Sequence, residues 1–150
     1  METRTIKLDV GAGKSRREGF TSVDIVPPAD IVVNLEHERL PFEDNSVDEI
    51  ACYETLEHMS HSRENPDGLD ALIFVMNEMH RVLKPGCLLH GKVPGTDDGA
   101  FADPTHQRYF RKSTFDYFSG ARPKNADYGI RPWKIISVDN GIRFTLTPNK

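Results

Sequence analysis

The stretch Thr5-Ile-Lys-Leu-Asp-Val10 alternates and then turns apolar, the period-two pattern of a strand. It runs directly into Gly11-Ala-Gly13, a turn. Four more stretches read as strands: Thr21–Ile25, closed by Pro27-Pro28; Asp30–Leu35; Val47–Tyr53, entered through Glu43-Asp-Asn-Ser46; and Cys87–Val93, between Pro85-Gly86 and Pro94-Gly95. One longer pattern has the helical period. Leu69, Leu72, Ile73, Met76, Met79 or His80, and Leu83 recur three and four apart, with Asn65-Pro66 as a start signal and Lys84-Pro85-Gly86 as a stop. Shorter helices are expected over Glu54–Met59 and from Ser113, where Phe115 and Phe118 share a face. Trp133–Val138 and Ile142–Thr147 flank Asp139-Asn140-Gly141 and predict a hairpin. Pro94–Gly99 and Gly120–Gly129 read as loops.

Strands joined by a clear helix and followed by a hairpin predict an α/β domain over residues 1–150, a mostly parallel Rossmann-like sheet with a C-terminal antiparallel hairpin. The spacing constrains it further. Only Gly11–Phe20 separates the first two strands, and little more than Val26–Pro28 the next two. A parallel crossover with its helix takes at least about 10–12 residues. Helices after strands 1 and 2 are therefore expected to be reduced, leaving the first half of the sheet thinly covered. That predicts apolar sheet surface which a second copy of the chain would bury, and hence a homo-oligomer.

Composition narrows the setting. The chain has 150 residues, 37% of them apolar and 28% charged, as in ordinary globular domains. The net charge of −4 argues against a general nucleic-acid binder. Two cysteines point to a reducing compartment, the cytoplasm. No apolar run approaches the roughly 20 residues of a membrane span, and Met1–Val10 has no signal-peptide core.

The first chemical signal is Asp9-Val-Gly-Ala-Gly13 at the end of a strand, where glycine lets a ligand approach the backbone and Asp9 can accept a hydrogen bond from a cationic group. The second is Asp24, eleven residues after Gly13 near the end of strand two, where an acid can take both ribose hydroxyls of a nucleotide-like ligand.

Taken with Asn34-Leu35, Leu40-Pro-Phe-Glu-Asp-Asn-Ser-Val-Asp48, Leu56-Glu-His58 and Arg81-Val-Leu-Lys-Pro-Gly86, these segments make the chain resemble a class I S-adenosylmethionine (AdoMet)-dependent methyltransferase of the broad small-molecule group, from about Leu8 to Val93. The resemblance implies AdoMet as cofactor and assigns roles. Asp9 lies near the methionine amino group, and Gly11, Ala12 and Gly13 give close backbone approach. Asp24 holds the ribose, Ile25 packs on the adenine, Asn34 and Leu35 meet the adenine edge, and Tyr53 lies beside the methionine part. The chain departs from the family in three ways. Ser15 stands where a third glycine is common, Asn34 where Asp is common, and the usual N-terminal helical cover is lacking.

Ala102-Asp-Pro-Thr-His-Gln-Arg-Tyr-Phe110 follows strand five and combines an acid, an imidazole, a guanidinium and two aromatics. Related small methyltransferases carry a similar stretch. His106 is the expected catalytic base, with Asp103 orienting it and Arg108 and Tyr109 meeting a small-molecule acceptor. His58 is a second candidate beside the acceptor. The histidines and cysteines match no zinc spacing, so they read as packing or surface residues and no metal is expected. Lys14-Ser-Arg-Arg17 reads as a solvated loop, with contact to an anionic group as the alternative. Two rival readings stand beside methyl transfer. One is a non-catalytic AdoMet-binding partner subunit. The other is a nicotinamide oxidoreductase, against which Arg16 stands where a third small residue is needed.

Overall fold

The computed structural model describes residues 3–95, 98–122, 124–140 and 142–150. Seven strands form one sheet in the order β3-β2-β1-β4-β5-β7-β6. The strands are β1 (Lys7–Val10), β2 (Thr21–Asp24), β3 (Ile31–Val32), β4 (Val47–Tyr53), β5 (Leu83–Lys92), β6 (Trp133–Val138) and β7 (Arg143–Pro148). The first five run parallel; β7 inserts antiparallel between β5 and β6. This is the expected Rossmann-like sheet with its C-terminal hairpin. Gly141 of the hairpin turn, and Thr96 and Asp97 of the loop expected over Pro94–Gly99, lie outside the described residues.

Three α-helices are described: α1 (Ala71–Val82), α2 (Asp98–Ala102) and α3 (Thr114–Phe118). The main helix starts five residues later than Pro66 suggested. Asn65 Oδ1 accepts from the backbone N–H of Asp67 and Leu69, both at 3.2 Å, and so closes its own turn in competition with a helix. Asp70 caps the helix instead, accepting from Leu72 N at 3.1 Å. Glu54–Met59 tightens only into a 3-10 turn at Leu56–His58. Helix α2 falls partly where a loop was expected, because five residues carry too few apolar positions to register a period.

Helix α1 is buried on two sides, which is why Leu72, Phe74, Val75, Met76 and Met79 are all shielded. One side meets the sheet. Over the other runs the segment before β6, where Asn77 donates to Gly129 O at 2.8 Å and accepts from Arg131 N at 2.9 Å. His80 donates from Nε2 to Pro132 O at 3.0 Å and meets Trp133 edge-on. Burial drives its pKa down to about 4. The native state thus holds His80 neutral, while the unfolded chain protonates it near pH 6.5. Stability from this site is full above pH 6.5 and falls as the pH drops toward 4, by about 3 kcal/mol in all. Denaturant titrations across that window are expected to show a shallower loss for His80→Gln than for the natural chain; equal slopes would contradict it.

No helix lies between Gly11 and Asp30, as the short connections required. The opposite face of the sheet therefore has no helical cover there, but it is not the apolar surface expected from the sequence. Leu88 and Val32 apart, it carries a polar ladder. Lys7 Nζ lies 3.3 Å from Glu49, Glu49 bonds His90 Nε2 at 2.8 Å, and His90 Nδ1 meets the Tyr53 hydroxyl at 2.8 Å. The apolar face that would have argued for a homo-oligomer is replaced by charges that water solvates. Lys14–Arg17 is solvent-exposed, as expected, but its two arginines are engaged. Arg16 bonds Ser22 Oγ and Pro28 O, and the Arg17 guanidinium sits 3.7 Å from Asp9 Oδ2, over the rings of Tyr53 and Phe20. Two arginines tie down the connection that a helix would otherwise fill.

Candidate functional site

The carboxyl ends of β1, β2, β3 and β4 surround an open cavity of about 340 Å³, where open α/β sheets bind ligands. Five of its lining residues were expected from the sequence: Gly11, Asp24, Ile25, Asn34 and Leu35. His58 lines it as well. Glu36, Glu54, Thr55 and Met59 complete the wall, and no motif pointed to them. Their position just after strands three and four was the available signal.

Each expected residue has a physical reason for its place. Gly11 and Gly13 have φ of +74° and +61°, a left-handed conformation that favours glycine. A Cβ on Gly11 would also overlap the Thr55 side chain. Between them Ala12 N reaches Val23 O at 3.4 Å, so the turn is pinned to β2. Asp24 Oδ2 accepts from Gly13 N at 2.8 Å and Oδ1 from Val26 N at 3.3 Å. The carboxylate is thus fixed at the cavity wall with lone pairs to spare. Ile25 leaves 55% of its surface exposed beside it, an apolar area with no protein partner.

Asp9 and Tyr53 do not line this cavity. They stand on the helix-free face of the sheet, covered by Arg17, and burial holds the Asp9 carboxyl above its ordinary range while Arg17 opposes the shift. Cys52 is fully buried, its thiol pushed up to about 12 by burial and by Glu57, so it is inert.

A second cluster adjoins the cavity through His58. The 3-10 turn Leu56–His58 and the segment 103–108 are zipped together: Gln107 N and Arg108 N both donate to Glu57 O, at 2.7 and 3.1 Å. Arg108 completes the strut, donating to Met59 O at 3.0 Å, to Ser60 O, and to Asp70 Oδ1 at 2.7 Å. Arg108, expected to meet the acceptor, thus has its Nε and one terminal nitrogen engaged by protein groups. The zipper sets the His58 and His106 rings edge to face, 4.9 Å apart. Asp103 Oδ2 lies 3.4 Å from His106 Nε2, and Thr105 holds the Asp103 carboxyl below its ordinary range. Tyr109 stays half exposed and stacks on Phe101 at 4.7 Å. His106, whose side chain is only 9% exposed, stands behind His58 rather than on the cavity wall.

Glu57 is the anomaly. It is 1% exposed, and neither carboxylate oxygen has a hydrogen-bond partner. Burial first, then the neighbouring Glu54, pushes its pKa up to about 8. A buried carboxyl without a partner is costly and calls for an explanation.

Comparison with known proteins bears on this arrangement. The model of the "Methyltransferase domain" family matches residues 11–90, more than half of the chain. No curated protein matches the sequence. Solved structures do match by shape. The PH0226 protein of Pyrococcus horikoshii OT3 is 15% identical with a TM-score of 0.65, the match covering 99% of this chain and 85% of that one. A SAM-dependent methyltransferase of Methanosarcina mazei is 15% identical with a TM-score of 0.63, covering 98% and 92%. Phosphoethanolamine N-methyltransferase 1 of Haemonchus contortus, solved with phosphoethanolamine and S-adenosylhomocysteine, is 14% identical with a TM-score of 0.62, covering 98% of this chain and 40% of that one. By its family match, its strand order and its glycine turn at the end of β1, this chain belongs to the class I S-adenosylmethionine-dependent methyltransferases.

Proposed function

We propose that the chain binds AdoMet in the cavity at the strand ends and methylates a small-molecule acceptor that enters beside His58. The observation that carries this reading is the Asp24 carboxylate, fixed by Gly13 N and Val26 N on a wall that also holds Gly11, Ile25, Asn34 and Leu35. Asp24 would take the ribose hydroxyls, Ile25 and Leu35 the adenine faces, and Asn34 its edge. Gly11 puts backbone on that wall with Thr55 packed where its Cβ would stand, and the left-handed Gly13 has nothing within 4 Å of its Cβ position, which leaves room for a ligand against the backbone. AdoMet, when bound, supplies a sulfonium-activated methyl group.

The chain's own work is alignment, desolvation and handling of one proton. Holding the acceptor atom in line with the methyl carbon contributes much of the acceleration. Met59 and Leu35 exclude water from one side. A hydroxyl or ammonium acceptor must also lose a proton. We assign that task to the imidazole pair, with His58 facing the acceptor and His106 and Asp103 behind it, close to the expected roles of His106 and Asp103. Tyr109, exposed on the same segment, is the remaining candidate for acceptor contact.

Titration calorimetry with AdoMet and with S-adenosylhomocysteine tests the cofactor. Saturable binding of both is expected; a folded chain that takes up neither at millimolar concentration would overturn the reading. His106→Ala is expected to keep that binding while lowering turnover of any identified acceptor. Unchanged turnover removes the imidazole pair from the chemistry.

A further inference from the structure

We propose that Glu57, His58 and His106 form a binding site for a divalent transition-metal ion, of which Zn²⁺ is the reference case. Each of the three presents a ligand atom, and those atoms lie within 4.8 Å of one another. The inference rests on the proposed function only for what the ion would do there, not for its binding.

Three observations carry the site. The first is the orientation of the rings. His106 Nδ1 lies 2.8 Å from Ala100 O, and His58 Nδ1 lies 3.1 Å from both Thr105 O and Thr105 Oγ1. A carbonyl oxygen only accepts, so each Nδ1 carries the hydrogen, and each Nε2 is left with a lone pair. An outer N–H held by a backbone carbonyl is how proteins fix the tautomer of a metal-ligating histidine.

The second is Glu57. Its carboxylate is buried, unpartnered, and turned into the same cluster. Two imidazole lone pairs and an unbonded carboxyl converging on one place, buried at Glu57 and open to solvent at His58, make a set that attracts a cation. Asp103 Oδ2, 3.4 Å from His106 Nε2, adds a further negative oxygen at the edge. Two histidines and one carboxylate are a sufficient ligand set for catalytic zinc and for related ions, leaving positions open.

The third is the scaffold. The two histidines are 48 residues apart in sequence, so no linear zinc pattern signals them. They are brought together by the backbone bonds to Glu57 O and by the Arg108 strut. A frame of this kind resists collapse of the ring pair and keeps the ligand atoms apart at a distance an ion can bridge by a small closing movement.

His58 also lines the AdoMet cavity, so an open position on the ion would face the acceptor space. Such an ion would take an oxygen or nitrogen atom of the acceptor and lower the pKa of a coordinated hydroxyl, its proton passing to solvent. The two imidazoles would then act on the acceptor through the ion rather than as free bases.

The test is titration of the metal-free full chain with Zn²⁺, followed by Co²⁺, whose visible absorption reports nitrogen and oxygen ligation. Saturable uptake at a single site is expected. His58→Ala, at a solvent-exposed residue, should weaken it at least about tenfold, and Glu57→Gln likewise. His61→Ala, an exposed histidine outside the cluster, should leave it unchanged. No saturable uptake, or uptake that survives a His58→Ala/His106→Ala double substitution in a chain still folded by circular dichroism, overturns the proposal. Calorimetry with AdoMet on the same samples keeps the two readings apart. Metal uptake without AdoMet binding would sink only the cofactor reading, and AdoMet binding without metal uptake only this one.

Discussion

Arg81→Met is expected to lower the free energy of unfolding by about 3–5 kcal/mol, the typical cost of removing one partner from a buried ion pair. Arg81 bonds the buried Glu78 from Nε at 2.8 Å and from a terminal nitrogen at 2.9 Å. The same guanidinium reaches Leu40 O at 3.0 Å, Phe42 O at 2.8 Å and Asp44 at 2.9 Å. Methionine would fill much of the space but leave Glu78 with Arg39 as its remaining cation, and Phe42 O without the donor it has in Arg81, while Leu40 O keeps the N–H of Phe42. Arg81→Lys should fall between, since a point charge cannot reproduce the fork. Urea midpoints at neutral pH measure all three chains. A loss for Arg81→Met below about 1 kcal/mol would mean that Arg39 alone neutralises Glu78.

Asp24→Ala is expected to weaken AdoMet by about 2–4 kcal/mol, roughly 30- to 700-fold in the dissociation constant. The substitution removes the proposed ribose acceptor and also frees Gly13 N and Val26 N, which Asp24 now holds. Asp24→Asn separates the two effects. It keeps an oxygen for Gly13 N but loses the charge, so its affinity should lie between those of the natural chain and the alanine variant. Calorimetry with S-adenosylhomocysteine avoids any need for an acceptor. An unchanged constant for Asp24→Ala would contradict the ribose role.

These two residues show what the sequence motifs are for. Asp24 lines the strand-end cavity in which we propose the cofactor binds. Arg81, in Arg-Val-Leu-Lys-Pro-Gly, is structural: it reaches back to Leu40-Pro-Phe-Glu-Asp, and Asn45 N and Ser46 N return the contact through Arg81 O and Val82 O at 3.0 and 2.8 Å. Two segments that recur together in the sequence are the two halves of one hydrogen-bonded clasp. The same holds for Leu56-Glu-His and Asp103-Pro-Thr-His-Gln-Arg, joined through Glu57 O and Arg108.

The sequence by itself determined where the strands, the main helix and the hairpin lie, and five of the residues that line the strand-end cavity. These features follow from local periods and turn residues, and a strand's end fixes where its last side chains stand. It also required that the connections after β1 and β2 hold no full helix, because length alone forbids it. Only the tertiary structure decided the character of the face those helices would have covered. The lysine, glutamate and histidine of its ladder come from separate strands, and their pairing depends on register. It also bonded Arg108 to Met59, Ser60 and Asp70, and placed His58 on the cavity wall with His106 behind it. Above all, it joined Glu57, His58 and His106, since residues far apart in the chain become one site only where backbone bonds between distant segments bring them within reach.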